Sequence, residues 1–548
     1  MRSKRPIVEK KFRFNKYQEI GSPDAETDRY LNDAFIEKDD FHAIIDMNNQ
    51  RSILVGRTGS GKSAILKHVE TTQERVVRIQ PEAMSLRFLS NSTLLQYFNS
   101  IEVNLNFFYK ILWKHVFVIE LLRLYFAYDD KKKNNWLFSV KNKFSRKNNP
   151  RREKALEYFD KWSNEFWIDA EKRIKEIENT VQRKFEAEVG SDIKFLKSSL
   201  ATSNDEKSTT KTEIKTKAEH IITEALAHDI HEIINILQEE LFVDDQQKHF
   251  VIIDDLDKEW ISTSMRYELI GAMIEVIKEF KVLKGVKIVI SLRDNLYQLI
   301  FSGAKHKGGQ REKFKPLYAD LSWSTIELKE LVNRRLSLLT NNALDIKNAF
   351  DKVYKGGTSG FEYMLERTFF RPRDVISFIN HSIENASDKG YLSLDILKRA
   401  ETGYSIERLQ AIEDEWGENY GDINRLSKFL YSKHNGFRLR NIKEDDFDTT
   451  LLEENPNNVF KGDLAVVVIK WQNNEIKFIT FLKEVIYIFY NAGILGIKKG
   501  PTHPVQFFYE KNALISINDL TNDSKIYVHK AFYSALKINV KEMESDIY

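Results

Sequence analysis

The sequence predicts an α/β fold built on a parallel sheet, and three observations support this prediction. A short apolar strand at 52–55 stops at a glycine-rich loop and passes directly into a helix. Two further apolar runs, 249–253 and 286–291, have the length of buried strands, and a helical pattern at 263–280 joins them. Strands that alternate with helices form parallel sheets, because each crossover helix returns the chain to the same edge.

The composition is that of a globular protein with room for several domains. Of 548 residues, 42% are apolar and 30% are charged, and the formal net charge is only +3. That charge is too small to draw the whole protein onto nucleic acid or membrane, so such binding would need a local patch. The chain has no cysteine, which excludes disulfides and thiolate sites and agrees with a cytoplasmic location.

Periodicity and composition divide the chain into predicted regions. The regions are an N-terminal lead-in (1–50), a core (51–324) with a helical insertion (about 95–247), a helical lid (325–420) and a winged-helix-like domain (421–548). The stretch 107–128 is strongly apolar, but charged residues interrupt it. It therefore predicts a buried helix and no membrane span.

Individual elements outside the sheet are also predicted. A strand is expected at 76–79, and a polar helix near 25–47 ends the lead-in. Helices are expected at 423–434 and 475–491, and strands at 507–509 and 525–528.

The loop after the first strand carries a complete phosphate-binding motif. Gly56–Ser63 reads GRTGSGKS and fits G-x-x-x-x-G-K-[ST] without a mismatch. Its glycines let backbone N–H groups converge on an anion at a helix N-terminus. Lys62 is expected to reach the β- and γ-phosphates of a nucleoside triphosphate, and the Ser63 hydroxyl to bind Mg²⁺. The candidate nucleotide-binding residues of the loop are Gly56, Arg57, Thr58, Gly59, Ser60, Gly61, Lys62, Ser63 and Ala64.

Acidic residues follow the strand at 249–253. Such a strand ends beside the phosphate-binding loop, because the carboxyl ends of parallel strands share one edge of the sheet. Asp254 is expected to hold Mg²⁺ through water, and Asp255 to orient or deprotonate the attacking water. Asp257 is a candidate for either role. The alternative is that Asp254 and Asp255 cap the next helix.

Two further groups carry candidate arginines. Arg293, or Ser291, is placed to sense the γ-phosphate from the end of the strand at 286–291, unless Arg293 instead pairs with Asp294. Arg371 and Arg373 flank a proline at a helix start. These two cations either reach the phosphate or adenine from a lid or form ordinary surface ion pairs.

These motifs together resemble the STAND and KAP-type P-loop ATPases, relatives of AAA+ proteins, and more narrowly a bacterial group found in antiphage defence loci. The resemblance is carried by the loop, by IIDDLD at 252–257, by SLRD at 291–294 and by RPRDV at 371–375, and it covers most of the chain from about residue 21. It implies that Arg293 takes the sensor 1 position and that Arg371 or Arg373 takes the lid position.

Two departures from these families have consequences. Asp255 stands where typical AAA+ proteins have glutamate, which implies slow turnover. The helical insertion is too charged to cross a membrane, as the insertions of KAP proteins often do.

The resemblance implies an ATP-hydrolysing switch that acts through homo-oligomerisation and a partner effector, such as a nuclease or toxin. A nucleic-acid-dependent motor or clamp loader-like protein, and a nucleotide-binding scaffold with little turnover, are the alternatives. ATP is preferred over GTP by resemblance, because the guanine-reading Asn-Lys-x-Asp string is missing.

Two softer features belong to these alternatives. The basic run Lys131–Arg152, with aromatic residues interleaved, suits a nucleic-acid groove, although a solvated loop has the same composition. Arg311 is a candidate for an arginine that completes a neighbouring subunit's site.

Overall fold

The computed structural model describes residues 12–81, 103–126, 149–163, 228–258, 263–294, 310–351, 359–417, 419–447, 462–500, 502–510 and 515–540, and the single positions 179, 182, 183, 186, 187, 296 and 300. The chain separates into two compact units. The sheet unit contains Glu37–Arg57 and Lys62–Leu321. The C-terminal unit contains Met1–Ile36, Thr58–Gly61 and Ser322–Tyr548, so it includes the four central residues of the glycine-rich loop.

A parallel sheet forms the centre of the sheet unit and confirms the predicted α/β class. Its strands are β1 (Ile53–Val55), β2 (Val76–Ile79), β3 (His249–Ile253), β4 (Val286–Leu292) and β5 (Tyr318–Asp320). They lie in the order β2-β3-β4-β1-β5, and every neighbouring pair is parallel. All residues of β1 and β3 are buried, which explains why these strands are apolar except for His249. β4 lies between β1 and β3, so its end adjoins both the loop and the acidic residues.

The sheet unit also contains seven described helices. They are α1 (Asp39–Ile45), α2 (Lys62–Thr72), α3 (Asn106–Tyr125), α4 (Pro150–Ser163), α5 (His228–Ile236), α6 (Thr263–Glu279) and α7 (Gln310–Phe314). α3 packs along α6, where the indole N–H of Trp113 donates to the Leu269 carbonyl over 2.9 Å. Most of α3 is buried, as its apolar sequence predicts. Within the described part of the chain, no helix has the length and apolar character that crossing a membrane requires.

The helix predicted near 25–47 is wrong for its first half. Only Asp39–Ile45 is helical, and residues 25–34 form turns. The Asp28 carboxylate accepts the backbone N–H groups of Ser22 and Tyr30, both over 3.2 Å. A short polar side chain that bonds to its own backbone neighbours stabilises a turn in competition with a helix.

From Ser322 onward, the C-terminal unit has a run of helices over most of the segment predicted to be helical. They are α8 (Thr325–Thr340), α9 (Ile346–Ala349), α10 (Gly360–Leu365), α11 (Pro372–Glu384) and α12 (Leu394–Trp416). α8 and α10 each begin with a capping box, in which Ser324 and Ser359 exchange hydrogen bonds with the glutamates three residues later. α11 begins at a proline, whose fixed φ suits the first helical position.

Residues 423–528 contain helices around a small antiparallel sheet. The helices are α13 (Ile423–Leu426), α14 (Gly462–Gln472) and α15 (Phe478–Asn491), and the strands are β6 (Gly436–Arg438), β7 (Leu495–Lys498) and β8 (Lys525–Val528). The strands lie in the order β6-β8-β7, and both pairs are antiparallel. α15 is buried along one face and is a core helix, as predicted. The finer expectations of a lid and a winged helix stay predictions.

Two local predictions in this region are wrong, and a third is confirmed with a different start. The helix predicted at 423–434 ends at Leu426 and continues only as a 3₁₀ turn, before Ser432 adopts a positive φ of 58°. α15 begins three residues late, because the Glu475 N–H bonds to the Lys470 carbonyl in the turn after α14. Residues 507–509 form a turn in place of the predicted strand. Single turns of 3₁₀ or π helix adjoin the named elements at 237–241, 280–282, 315–317, 427–430, 439–441, 517–519 and 530–532.

Candidate nucleotide-binding site

The glycine-rich loop requires glycine at two positions. Gly59 and Gly61 have φ angles of +77° and +98°, which L side chains rarely adopt. A Cβ atom on Gly59 would also lie 2.6 Å from the Cβ of Arg373. Gly56 donates its N–H to the Leu292 carbonyl over 3.2 Å, which joins the start of the loop to the end of β4. The backbone that the motif predicts is therefore one that larger residues would disturb.

Lys62 lies buried at the base of the loop. Its ammonium group donates to the carbonyls of Gly56 (2.8 Å) and Arg57 (3.0 Å). Burial lowers the pKa of Lys62 to about 8, although Asp294 and Asp254 act in the opposite direction. The lysine is thus mainly charged at neutral pH. Among the residues that the structure describes, its ammonium donates only to these two backbone carbonyls.

Asp254 is buried directly after β3, with a partner at each carboxylate oxygen. The Ser291 hydroxyl donates to Oδ1 from the adjacent strand β4. Arg78 on β2 pairs with Oδ2 over 3.2 Å and also with Glu70 over 3.3 Å. Ser291, an alternative γ-phosphate sensor, therefore lies against the carboxylate expected to hold Mg²⁺.

Arg78 is a site residue that the sequence analysis missed. It stands in Val76-Val77-Arg78-Ile79, where the other three residues are apolar and β-branched. An arginine within an apolar strand indicates a nearby acidic partner, because a buried charge needs one. The aspartates that follow the strand at 249–253 were the candidates.

Asp255 and Asp257 have separate partners. Asp255 adopts a positive φ of 59°, which is uncommon for a residue other than glycine. Burial raises the pKa of Asp255, the nearby Asp254 raises it further, and Lys258, 3.1 Å away, partly offsets the increase. Asp257 pairs with Arg293. Arg293 therefore forms its ion pair with Asp257 and not with Asp294, as the alternative had proposed. The role of Arg293 as a sensor of the γ-phosphate stays a prediction.

The helix-capping alternative for Asp254 and Asp255 has little support in the described residues. The chain turns at 256–258, and α6 begins only at Thr263. Neither aspartate adjoins the start of α6, so neither occupies the capping position.

Asp294 is the second residue that the sequence analysis left without a role at the site. Burial raises the pKa of Asp294, while Lys62 and Arg57 act to lower it. Its carboxylate thus belongs to the same charged group as Lys62. Asp294 lies two residues after the end of β4, and the strands on either side of β4 end at the loop and at Asp254. That position could have predicted a place for Asp294 at the site.

The C-terminal unit contacts the backbone of the loop residues that belong to it. Arg371 donates to the Thr58 carbonyl, and the Arg373 N–H donates to the Gly59 carbonyl over 3.3 Å. The indole N–H of Trp323 donates to the Ser60 carbonyl over 2.8 Å.

Arg371 also belongs to a buried ion network. It pairs with Asp374 (2.9 Å) and Glu415 (3.1 Å), and Arg408 pairs with the same aspartate over 2.6 Å. Burial alone would raise the pKa of Asp374, but the two arginines lower it to about 2. The ion pairs of Arg371 are therefore buried, not on the surface as one alternative had them. Contact of Arg371 or Arg373 with a nucleotide stays a prediction.

The oxygen ligands available at the loop suit Mg²⁺. Ser63 lies in the first turn of α2, beside Lys62 and Ala64, and Asp254 supplies a buried carboxylate. In the described residues, no cluster of three or more histidine, aspartate or glutamate side chains could hold a metal ion. Mg²⁺ is commonly bound by one or two protein oxygens together with substrate phosphates. Ser63 and Asp254 fit that mode of binding.

Two predicted features lie wholly or mostly outside the described residues. Of the basic run Lys131–Arg152, the structure describes only residues 149–152. There Arg151 and Arg152 pair with Glu239 and Glu240. The side chain of Arg311 is also outside the described part, so its proposed role stays a prediction.

The chain is similar to three known proteins or families. Residues 326–413 match the family described as the FunZ-associated C-terminal helical domain. The chain is 20% identical over 541 residues to the transposon gamma-delta 80.3 kDa protein of Escherichia coli (strain K12), and the match covers 96% of this chain and 68% of that protein. A solved Walker-type ATPase of Pyrococcus abyssi is similar at 12% identity and a TM-score of 0.34, covering 86% of this chain and 93% of that one. The family match falls on α8–α12, and the parallel sheet with its loop fits a P-loop NTPase fold.

Proposed function

We propose that the chain binds ATP with Mg²⁺ at Gly56–Ser63 and hydrolyses it. The observation that carries the proposal is the buried Lys62 ammonium at the base of a complete phosphate-binding loop, within the electrostatic reach of Asp254 and Asp294. A buried cation held only by carbonyls can exchange them for phosphate oxygens, and charge-assisted bonds of that kind are stronger than neutral ones.

Each of the candidate side chains would have a separate role in hydrolysis. Lys62 would bind the β- and γ-phosphates, while Ser63 and Asp254 would hold Mg²⁺ together with phosphate oxygens. When bound, Mg²⁺ neutralises charge that develops on the transferred phosphoryl group. Asp255 would accept the proton of the attacking water, and a raised pKa makes a carboxylate a stronger base. Arg293, held by Asp257, would approach the γ-phosphate from the end of β4.

The finer proposal is a regulatory switch that changes its assembly and acts through a partner effector, in an antiphage defence setting. The hydrogen bonds of Arg371 and Arg373 to the loop backbone support the switch. A shift of Thr58 or Gly59 would change these bonds and so move the start of α11. The effector and the defence setting rest on the family resemblance alone.

Hydrolysis is tested by measuring phosphate release from ATP and Mg²⁺ with wild type and Asp255→Asn. We expect kcat to fall by about 10²- to 10⁴-fold, which is the usual contribution of a general base, while ATP binding is retained. Asp414→Asn, which removes an exposed carboxylate of α12, is the matched control and should keep wild-type kcat. Equal kcat in wild type and Asp255→Asn would remove Asp255 from the mechanism.

The switch is separated from its alternatives by measuring the particle mass in ATP and in ADP, and turnover with and without DNA or RNA. A larger mass in ATP with slow turnover is the result expected for a switch. Turnover that rises strongly with nucleic acid would favour the motor. Tight ATP binding without phosphate release or a change of mass would favour the scaffold.

A further inference from the structure

The sheet unit contains a cavity at the edge opposite to the glycine-rich loop. Its volume is about 560 Å³, which lies within the range of small-molecule sites. Ser52, directly before β1, and residues 286–288 at the start of β4 line it. The loop follows the carboxyl end of β1, so the cavity lies at the amino edge of the sheet. At about 3.3 Å per residue, the seven residues of β4 separate the two edges by roughly 20 Å.

The wall of this cavity has a surplus of positive charge. Its lining includes one carboxylate, that of Asp245, and five lysines, which are Lys278, Lys281, Lys284, Lys287 and Lys313. Over the described residues, none of these five ammonium groups forms an ion pair with a carboxylate. When all five are protonated, they exceed the carboxylate by four charges.

Two of the lysines are fixed to the wall by backbone groups. Lys287 is buried, and its ammonium donates to the carbonyls of Ala43 (2.7 Å) and Asp46 (2.6 Å) at the end of α1. Lys281 donates to the carbonyl of Gln50. An ammonium group has three N–H donors, so each of these lysines retains at least one for a ligand.

The pKa values of Lys281 and Lys287 are lowered in this cavity. Burial lowers the pKa of Lys287 to about 7, with repulsion from Lys281 and Lys248 in the same direction and attraction by Asp46 against it. Burial also lowers the pKa of Lys281 to about 8. An anion in the cavity would favour the charged form of both lysines and offset their mutual repulsion.

We propose that this cavity binds a small multivalent anion that carries two or more phosphate groups. The cavity has the volume for such a ligand, and its five lysines supply charge that the lining residues do not neutralise. Lysine binds phosphate as a point charge, without the fixed fork of arginine, so lysines on different elements can share one flexible ligand. The site is separate from the glycine-rich loop and does not depend on ATP hydrolysis there.

The test is a calorimetric titration of the full chain carrying Lys62→Ala, with tripolyphosphate as the probe. The second set of changes is Lys278→Glu, Lys284→Glu and Lys313→Glu, at exposed positions whose replacement leaves the buried contacts of Lys281 and Lys287 in place. The matched control has the same charge change at the exposed Lys347, Lys398 and Lys477 of the C-terminal unit.

We expect the Lys62→Ala chain to bind tripolyphosphate, the cavity variant to weaken this binding by about tenfold or more, and the control to change it by less than about threefold. Absence of binding in the Lys62→Ala chain, or equal loss in both glutamate variants, would overturn the proposal. ATP in place of tripolyphosphate reports whether a nucleoside is accepted as well. Since ATP binding by wild type measures the loop independently, failure of the cavity and failure of the loop give different results.

A second readout is the number of protons taken up on binding, obtained from titrations at pH 7.5 in buffers of different ionisation enthalpy. Lys281 and Lys287 are partly neutral at this pH, so an anion that contacts them should cause proton uptake at these lysines. The groups that face them are the three exposed lysines, Lys248, Asp46 and Asp245. Because tripolyphosphate itself titrates near this pH, the uptake is measured relative to Lys287→Met, and equal proton exchange by the two chains would contradict a ligand held by the cavity wall.

Discussion

The two edges of the parallel sheet are both charged, but they are neutralised in different ways. At the carboxyl edge, cations lie beside aspartates: Arg78 pairs with Asp254, and Arg293 with Asp257. At the amino edge, Lys281 and Lys287 are held by backbone carbonyls, and one carboxylate lines a cavity with five lysines. A ligand at the first edge must exchange existing partners, whereas an anion at the second edge would supply a missing one.

Because of this difference, a ligand at the carboxyl edge and a ligand at the amino edge would change the protein in different ways. At the proposed site, Mg²⁺ at Asp254 would compete with Arg78, which has Glu70 as a second partner 3.3 Å away. Binding at the carboxyl edge would therefore rearrange ion pairs and change the conformation. Binding at the amino edge would remove repulsion between fixed lysines, so its main effect would be on protonation and stability.

The largest effect expected from the comparison concerns Lys287 and the pH dependence of stability. The ordinary lysine pKa of 10.5 is lowered to about 7 in the folded chain. Between these values the unfolded chain binds more protons than the folded chain, so stability rises with pH. Lys287 should add about 2 kcal/mol to the free energy of unfolding between pH 7 and pH 9. Urea denaturation at both pH values measures this difference.

Lys287→Met should remove that part of the pH dependence, and Lys284→Met, at an exposed lysine of the same cavity, should retain it. The same slope in wild type and Lys287→Met would show that Lys287 is not deprotonated in the folded chain. Burial and repulsion at the amino edge would then be too weak to remove the charge of Lys287 in the folded chain.

A smaller effect is expected at the carboxyl edge from Lys62. Phosphate binds the charged ammonium, and the pKa of this group is about 8 in the folded chain. Affinity for ATP should therefore fall as pH rises through 8, by about tenfold between pH 7 and pH 9, or roughly 1.4 kcal/mol. Titrations with ATP at fixed Mg²⁺ measure the change. An affinity independent of pH over this range would mean that Lys62 keeps its ordinary pKa or does not contact phosphate.

Much of the sheet unit could be predicted from sequence because its signals are local. β3 and β4 are mainly apolar strands of five and seven residues, and the loop between β1 and α2 has a fixed string of residue types. β5 and β6 have only three residues each and show no period. β1 is equally short, but its apolar sequence and the motif that follows it identify it. β5 and β6 have neither signal, so local patterns cannot identify them.

Contacts between residues far apart in the sequence could not be predicted from local patterns. In the C-terminal unit, the aromatic run at 507–509 has β propensity, yet Phe507 packs on the ring of His529 and the Tyr509 hydroxyl bonds to that histidine. Arg78 and Asp254 are 176 positions apart, and the register of β2 with β3 brings them together. Likewise, the contact of Arg371 with Thr58 spans 313 positions.

Equilibrium binding of ATP with Mg²⁺ measures whether Gly56–Ser63 holds the nucleotide through Lys62. Lys62→Ala should weaken binding by about a hundredfold, since a charge-assisted contact with phosphate is lost. Lys398→Ala, at an exposed lysine of α12, should bind ATP as wild type does. If Lys62→Ala bound ATP as tightly as wild type, Gly56–Ser63 would not be the nucleotide site.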